Sequence, residues 1–190
     1  LHSFPTRRSS DLKTFPSSSF GINSKLRKIF KDASNWAKNA DKKDIKLFYD
    51  TAGSILSKKS IEAFVVSDFN TSGLYKFPHD EESNFFRLIL NPGASKTSGD
   101  GGGSHGHGQH ASYARSNLRT VFFQSFVESK IEKTNHNRLF IGKTILNSFK
   151  ATKGLINRGS GYYISDVQKN KIIPFYDNEV PTKIRSLRNT

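Results

Sequence analysis

Three histidines stand close together in a glycine-rich stretch, at His105, His107 and His110. Neutral imidazoles are ligands for Zn²⁺ and Ni²⁺, and the flexible glycines would let the three rings converge on one ion. Asp100 is the only carboxylate close in sequence, and nothing nearby supplies the groups that orient such ligands. Two interpretations follow: a metal-dependent enzyme that uses these histidines, or an exposed Gly/His-rich loop with adventitious affinity for Zn²⁺ or Ni²⁺. We expect the loop, with no resident cofactor.

Two glycine-containing segments superficially resemble a phosphate-binding loop. The segment Gly99–Ser104 is followed by no Gly-Lys-Ser/Thr, which that loop needs. The triplet Gly142-Lys143-Thr144 has Arg138 at the upstream position where the loop needs glycine. The chain has no nucleophile elbow, no zinc-protease helix, no calcium loop and no cysteine. We therefore name no catalytic residue and expect a protein that is not an enzyme.

Basic residues form two candidate binding surfaces for nucleic acid or another anionic partner. The chain has 30 Lys and Arg against 16 Asp and Glu, a formal net charge of +14. Such a surplus attracts polyanions, and Lys and Arg side chains neutralise phosphates. The alternative is a solvated, lysine-rich surface without a partner. The candidate residues lie on one face of the first helix and in the C-terminal tail: Lys25, Arg27, Lys28, Lys31, Lys183, Arg185 and Arg188.

The first twelve residues are expected to be foreign to the protein. Residues 2–12 resemble the translation, in one reading frame, of a common short-read sequencing adapter. Such segments are excluded from fold reasoning. Without residues 1–12 the chain keeps 28 Lys and Arg against 15 Asp and Glu. We therefore expect the native protein to begin upstream of a truncation point, with its true N-terminus missing.

Hydrophobic periodicity predicts two amphipathic helices near the N-terminus, after an irregular lead-in over 13–23. The first covers 25–38, with apolar residues at helical spacing from Leu26 to Ala37. The second runs from Asp41 or Asp44 to about Ser57, with acidic residues at its start as the helix dipole favours. Residues 61–66 are ambiguous between a strand and an extension of the second helix.

The rest of the chain predicts a small antiparallel sheet and further helices. We expect strands at 74–77 and 84–90, a mobile Gly/His-rich loop over 91–112, helices over 115–133 and 138–153, and a hairpin formed by 161–167 and 171–176. A basic tail over 183–190 ends the chain. These elements together predict a single α+β domain over 13–190. No stretch of the sequence reaches the ~20 apolar residues that a membrane-spanning helix needs.

A turn at Thr71-Ser72-Gly73-Leu74 resembles the Thr-Gly-x-Leu-like turn of the head–tail joining, neck and tail-completion proteins of tailed phages, apart from its extra serine. The resemblance implies a non-enzymatic virion assembly protein with protein partners or a homo-oligomeric state. Its location would then be the virion or the cytoplasm of an infected host cell. The alternatives are a basic nucleic-acid-binding module and the metal-dependent enzyme.

Overall fold

A computed structural model describes residues 7–20, 24–39, 42–71, 73–74, 80–81, 83–91, 108–126, 136–150 and 155–188. Helices and antiparallel sheets both occur, which confirms the mixed α+β class. The chain divides into two compact units: unit 1 takes the residues before Gly73 and after Val180, and unit 2 takes Gly73–Val180. That residues 13–190 behave as one domain stays a prediction. Within the described residues, no helix is long and apolar enough to cross a membrane.

Two helices form the core of unit 1. Helix α1 spans Ser24–Ala37 and helix α2 spans Lys43–Ser57, in the segments where the apolar periodicity indicates helices. Phe30 of α1 packs edge-on against Tyr49 of α2, with ring centroids 6.4 Å apart. Apolar side chains at helical spacing are removed from water there, which stabilises the pair. The buried residues of the two helices are Phe30, Ala33, Ala37, Tyr49, Ala52 and Leu56.

The same unit contains a two-stranded antiparallel ribbon. Strand β1 spans Arg7–Pro16 and strand β2 spans Ser60–Phe69, paired from Arg7↔Phe69 to Pro16↔Ser60. The ambiguous segment 61–66 is therefore a strand, as its β-branched content favours. We predicted an irregular segment over 13–23, and this is wrong at its start because residues 13–16 belong to β1. Phe15 is buried on this strand and packs against the ring of Phe20, with ring centroids 4.9 Å apart. Residues 17–20 then form a 3₁₀ turn.

Strands, not helices, follow the glycine-rich stretch in unit 2. Helix α3 covers Gly108–Arg115, and strands β3 and β4 cover Thr120–Phe126 and Arg138–Ile145. The helices predicted over 115–133 and 138–153 are therefore wrong in their described parts. Their aromatic and β-branched side chains suit a sheet, and β4 is buried on both faces, which removes the period-two pattern. The mobile loop predicted over 91–112 is wrong at 108–112, which lies in α3, and residues 92–107 lie outside the described residues.

Strand β4 is the centre of the sheet of unit 2. One edge pairs with β3, and the other pairs with β7 (Ser160–Tyr163) and β10 (Phe175–Tyr176), all antiparallel. Two short pairs lie outside this sheet: β5 (Phe149–Lys150) with β6 (Ile156–Asn157), and β8 (Asp166–Gln168) with β9 (Lys171–Ile173). The predicted C-terminal hairpin is the β8–β9 pair alone, and its outer ends pair with β4 instead.

The strand predicted over 84–90 is wrong, because Phe86–Leu90 forms a π-helix. Phe85 and Ile89, four residues apart, are both fully buried, so the apolar spacing is helical. The Oγ of Ser83 accepts the backbone N–H of Phe86 at 3.0 Å and caps this turn. Leu74 lies in a bend, and the other residues of the strand predicted at 74–77 lie outside the described residues.

The basic tail is helical rather than free in its described part. Helix α4 covers Thr182–Arg185, and a 3₁₀ turn covers Ser186–Arg188. Ile184 is buried and α4 contacts the 3₁₀ turn at Ser17–Phe20, so the tail is anchored in unit 1. Residues 189–190 lie outside the described residues.

Candidate functional site

Positive charge is concentrated in unit 1. This unit has 16 Lys and Arg against 7 Asp and Glu, whereas unit 2 has 14 against 9. Both basic segments singled out in the sequence, on α1 and in the C-terminal tail, belong to unit 1. The fold therefore brings the two candidate anion-binding segments into one compact unit, although they are about 150 residues apart along the chain.

The candidate face of α1 is open to solvent where it is described. Arg27, Lys28 and Lys31 are exposed, and the side chain of Lys25 lies outside the described part. The Nζ of Lys28 lies 3.5 Å from the Oδ2 of Asp32, one helical turn away. Such an exposed pair is weak and would exchange readily for a phosphate. Arg27, Lys28 and Lys31 are thus the accessible cations of the predicted face.

The C-terminal candidates differ in exposure. Lys183 is exposed, whereas Arg185 is half-buried and its Nη2 donates a hydrogen bond to the Oγ1 of Thr182 at 3.2 Å. The side chain of Arg188 lies outside the described part. Because the buried Ile184 stands between Lys183 and Arg185, these two cations are held at the surface of a packed turn.

An exposed apolar face on the ribbon was not found from the sequence. Leu12, Phe64 and Val66 lie on the same face of β1 and β2, with 67%, 70% and 52% of their surfaces exposed. Leu12 stands directly opposite Phe64, and Val66 is the next β2 residue on that side. The sequence signal for this face is the alternation of side chains along β2. Because residues 61–66 were ambiguous between a strand and a helix, that alternation could not be assigned to a strand face. We call Leu12, Phe64 and Val66 the ribbon face.

Charged contacts hold the outer end of the ribbon. The Nε and Nη2 of Arg8 donate to the two carboxylate oxygens of Asp68 at 2.7 and 3.1 Å. The hydrogen bond from Arg8 holds the pKa of Asp68 below its ordinary value. The guanidinium of Arg7 lies 5.7 Å from the centre of the Phe69 ring. Both arginines belong to the segment that resembles an adapter translation.

Of the three candidate metal ligands, the structure describes only His110, which is exposed on α3; His105 and His107 lie outside the described residues. In the described part of the chain, no group of three potential metal ligands comes together. A different histidine meets a carboxylate: the Nδ1 of His136 lies 2.7 Å from the Oδ2 of Asp177, and its ring stacks on Tyr176. Burial raises the pKa of Tyr176 to about 12. This contact joins β4 to the turn after β10.

A buried lysine lies under the sheet of unit 2. Lys143 is 3% exposed, its Nζ donates to the carbonyl oxygen of Ile89, and it lies 5.5 Å from the centre of the Tyr162 ring. Burial lowers the pKa of Lys143 and raises that of Tyr162. Lys143 is the lysine of the Gly-Lys-Thr triplet, which lies inside β4 and not at the strand-to-helix loop that a phosphate-binding motif requires. Its hydrogen bond links β4 to the π-helix.

Comparison of the chain with protein-family models, with curated proteins and with solved structures gave no match.

Proposed function

We propose that the protein is a non-enzymatic assembly protein that associates with polypeptide partners, its own copies included, through exposed apolar surface. The observation that carries this proposal is the exposure of Phe64 and Val66, at 70% and 52%, side by side on β2. Single exposed apolar residues are ordinary, but neighbouring large ones form a patch that favours association. Phe64 and Val66 form this patch without Leu12, whose segment resembles an adapter translation.

A second apolar patch in unit 2 supports the same proposal. Leu155 and Ile156 are consecutive residues with 69% and 73% of their surfaces exposed. Each unit thus carries large apolar side chains in contact with water, and covering them with another polypeptide would release about 25 cal/mol per Å² of buried apolar surface. The resemblance of the turn at Thr71–Leu74 to phage neck proteins makes a virion the proposed setting of this assembly.

Self-association through the ribbon face can be measured by multi-angle light scattering at moderate salt. We expect a defined oligomer at about 100 μM protein. The variant Phe64→Lys should weaken association about tenfold or more, because it removes an aromatic side chain from the contact and inserts a charge. The matched control is Leu47→Lys, since Leu47 is 68% exposed and belongs to α2, not to the ribbon. A monomer at every concentration, or equal effects of the two variants, would refute the proposal.

The charge of unit 1 favours a second candidate function, the binding of nucleic acid. Its 16 basic against 7 acidic residues, with Arg27 and Lys31 open to solvent, provide the surface that a phosphate backbone requires. The affinity for a DNA duplex should fall linearly with the logarithm of salt concentration. The double variant Arg27→Gln/Lys31→Gln should reduce the slope by about 0.9 for each lost phosphate contact.

The control for that experiment is Lys169→Gln/Lys171→Gln, which removes two exposed cations from the β8–β9 hairpin of unit 2. It has the same net charge as the test variant, so a general charge effect would change both slopes equally. Equal slopes for both variants and the parent protein would eliminate this candidate.

A further inference from the structure

Two buried polar side chains of unit 2 are neighbours of Tyr162, which is half-buried on β7. Lys143 stands directly opposite Tyr162 in the pairing of β4 with β7, and its Nζ lies 5.5 Å from the centre of the Tyr162 ring. Tyr113 of α3 is 5% exposed. Burial and, to a smaller extent, the nearby Tyr162 raise the pKa of Tyr113. Tyr162 therefore has a buried amine and a buried hydroxyl group beside it.

Neither buried group is satisfied within the part of the chain that the structure describes. The ammonium group of Lys143 has three donors, and its hydrogen bond there goes to the carbonyl oxygen of Ile89. No carboxylate of the described residues forms an ion pair with Lys143. The hydroxyl of Tyr113 is buried without a hydrogen-bond partner among these residues. A buried cation without a counter-ion and a buried unpaired donor both cost free energy, and a bound anion would satisfy both.

We propose that unit 2 binds a small organic carboxylate beside Tyr162, with its oxygens held by the Lys143 ammonium and the Tyr113 hydroxyl. The charge determines this class of ligand, because one ammonium group balances one negative charge and a hydroxyl adds a donor without adding charge. The surroundings are apolar, since Ile89 is a member of the core cluster of unit 2 and Tyr162 packs against that cluster. Such walls suit the hydrocarbon part of an organic acid better than a second charged group.

This site is separate from the surfaces of the proposed assembly. Lys143 and Tyr113 are buried in unit 2, whereas the apolar patches of the assembly proposal are exposed residues, Phe64 with Val66 and Leu155 with Ile156. Light scattering measures the association of copies, and a carboxylate titration measures the buried site. Each proposal can therefore fail while the other holds.

The test titrates sodium acetate into the ¹⁵N-labelled full chain at about pH 6.5, where acetate is ionised. Sodium chloride is exchanged for acetate so that ionic strength stays constant. We expect saturable amide shifts at residues 113, 143 and 162, with a dissociation constant of about 1 mM, which a ligand of so few atoms can reach. No saturation up to about 100 mM acetate would overturn the proposal. Tighter binding of inorganic phosphate than of acetate would overturn the choice of a carboxylate.

Two variants distinguish the site from a general effect of acetate on the protein. Lys143→Met removes the ammonium group and should weaken acetate binding about tenfold or more. Tyr113→Phe keeps the ring and removes only the hydroxyl, and the loss of one hydrogen bond to a charged group should weaken binding about tenfold. Tyr49→Phe is the matched control, because Tyr49 is also buried but belongs to α2 of unit 1. Parent-like acetate binding by Tyr113→Phe, or equal losses in Tyr113→Phe and Tyr49→Phe, would refute the assignment.

Discussion

Phe122 covers the face of Gly142 across strands β3 and β4. The two residues are directly paired, and a Cβ built at position 142 would lie 2.7 Å from the Cε1 of the Phe122 ring. The ring cannot easily retreat, because it stacks on Phe140 at 5.7 Å between centroids and meets the edge of Tyr163 at 6.2 Å. Glycine at position 142 therefore lets an aromatic cluster close over the central strand.

Gly142→Ala should destabilise unit 2. The added methyl group overfills a packed site, which costs about 1–3 kcal/mol of the free energy of unfolding. Urea unfolding followed by tyrosine fluorescence and circular dichroism measures the change. Gly161→Ala is the matched control, because Gly161 lies on β7 of the same sheet and a Cβ there has no heavy atom within 4 Å. If both variants unfold at the parent's urea concentration, the Phe122 ring is not the constraint on position 142.

The two helices of unit 1 could be predicted from the sequence because each buries one stripe of apolar side chains. Strands β3 and β4 could not, because the sheet of unit 2 is covered on both sides. Residues Leu139–Lys143 are all buried, so β4 presents a continuous run instead of an alternation. A short continuous apolar run does not separate a buried strand from a helix, and length and composition then decide.

The candidate binding residues and contacts also differ in how far the sequence predicts them. The cations of α1 could be assigned to one face because helical spacing places them there. The partners of Asp177 and Lys143 could not be found, because His136 is 41 residues away along the chain and Ile89 is 54. Contacts between residues so far apart in sequence depend on how the strands are arranged in the sheet. The local sequence pattern does not predict that arrangement.

Lys143 makes the stability of unit 2 depend on pH. Burial lowers its pKa from the ordinary 10.5, so between the two values the unfolded chain binds more protons at this site than the folded protein. The free energy of unfolding therefore rises with pH across that window, and the burial penalty on this group is complete below the folded pKa.

Lys143→Met should have its largest stability gain relative to the parent near neutral pH. The gain should shrink towards about pH 10, where the unfolded lysine also loses its proton. Urea unfolding of parent and variant at a series of pH values measures the difference, and the tyrosines shared by both cancel. Lys150→Met, at an exposed position on β5, is the matched control for replacing a lysine of the same unit with methionine. A flat difference for Lys143→Met would contradict the buried, proton-releasing amine.

Asp177 joins the start of β4 to the turn after β10. Its Oδ2 lies 2.7 Å from the Nδ1 of His136, and its Oδ1 accepts the backbone N–H groups of Asn137 and Arg138 at 3.3 and 3.1 Å. Its own backbone has a φ of 39°, in the left-handed region that Asp and Asn tolerate better than other side-chain-bearing residues. One residue thus supplies both the acceptor oxygens and the turn.

Asp177→Ala should lower the free energy of unfolding by about 1–3 kcal/mol, because it leaves three donors without their acceptor and places alanine at a positive φ. Asp177→Asn keeps one acceptor oxygen and the tolerance for that backbone, so it should retain most of the parent's stability. Asp166→Ala is the control, since the side chain of Asp166 is exposed and its carboxylate accepts hydrogen bonds from its sequence neighbours Val167 and Gln168. Thermal and urea unfolding would rank the variants as Asp177→Ala below Asp177→Asn, with Asp166→Ala near the parent. If Asp177→Ala unfolds together with Asp166→Ala, the carboxylate does not hold β4 to the turn.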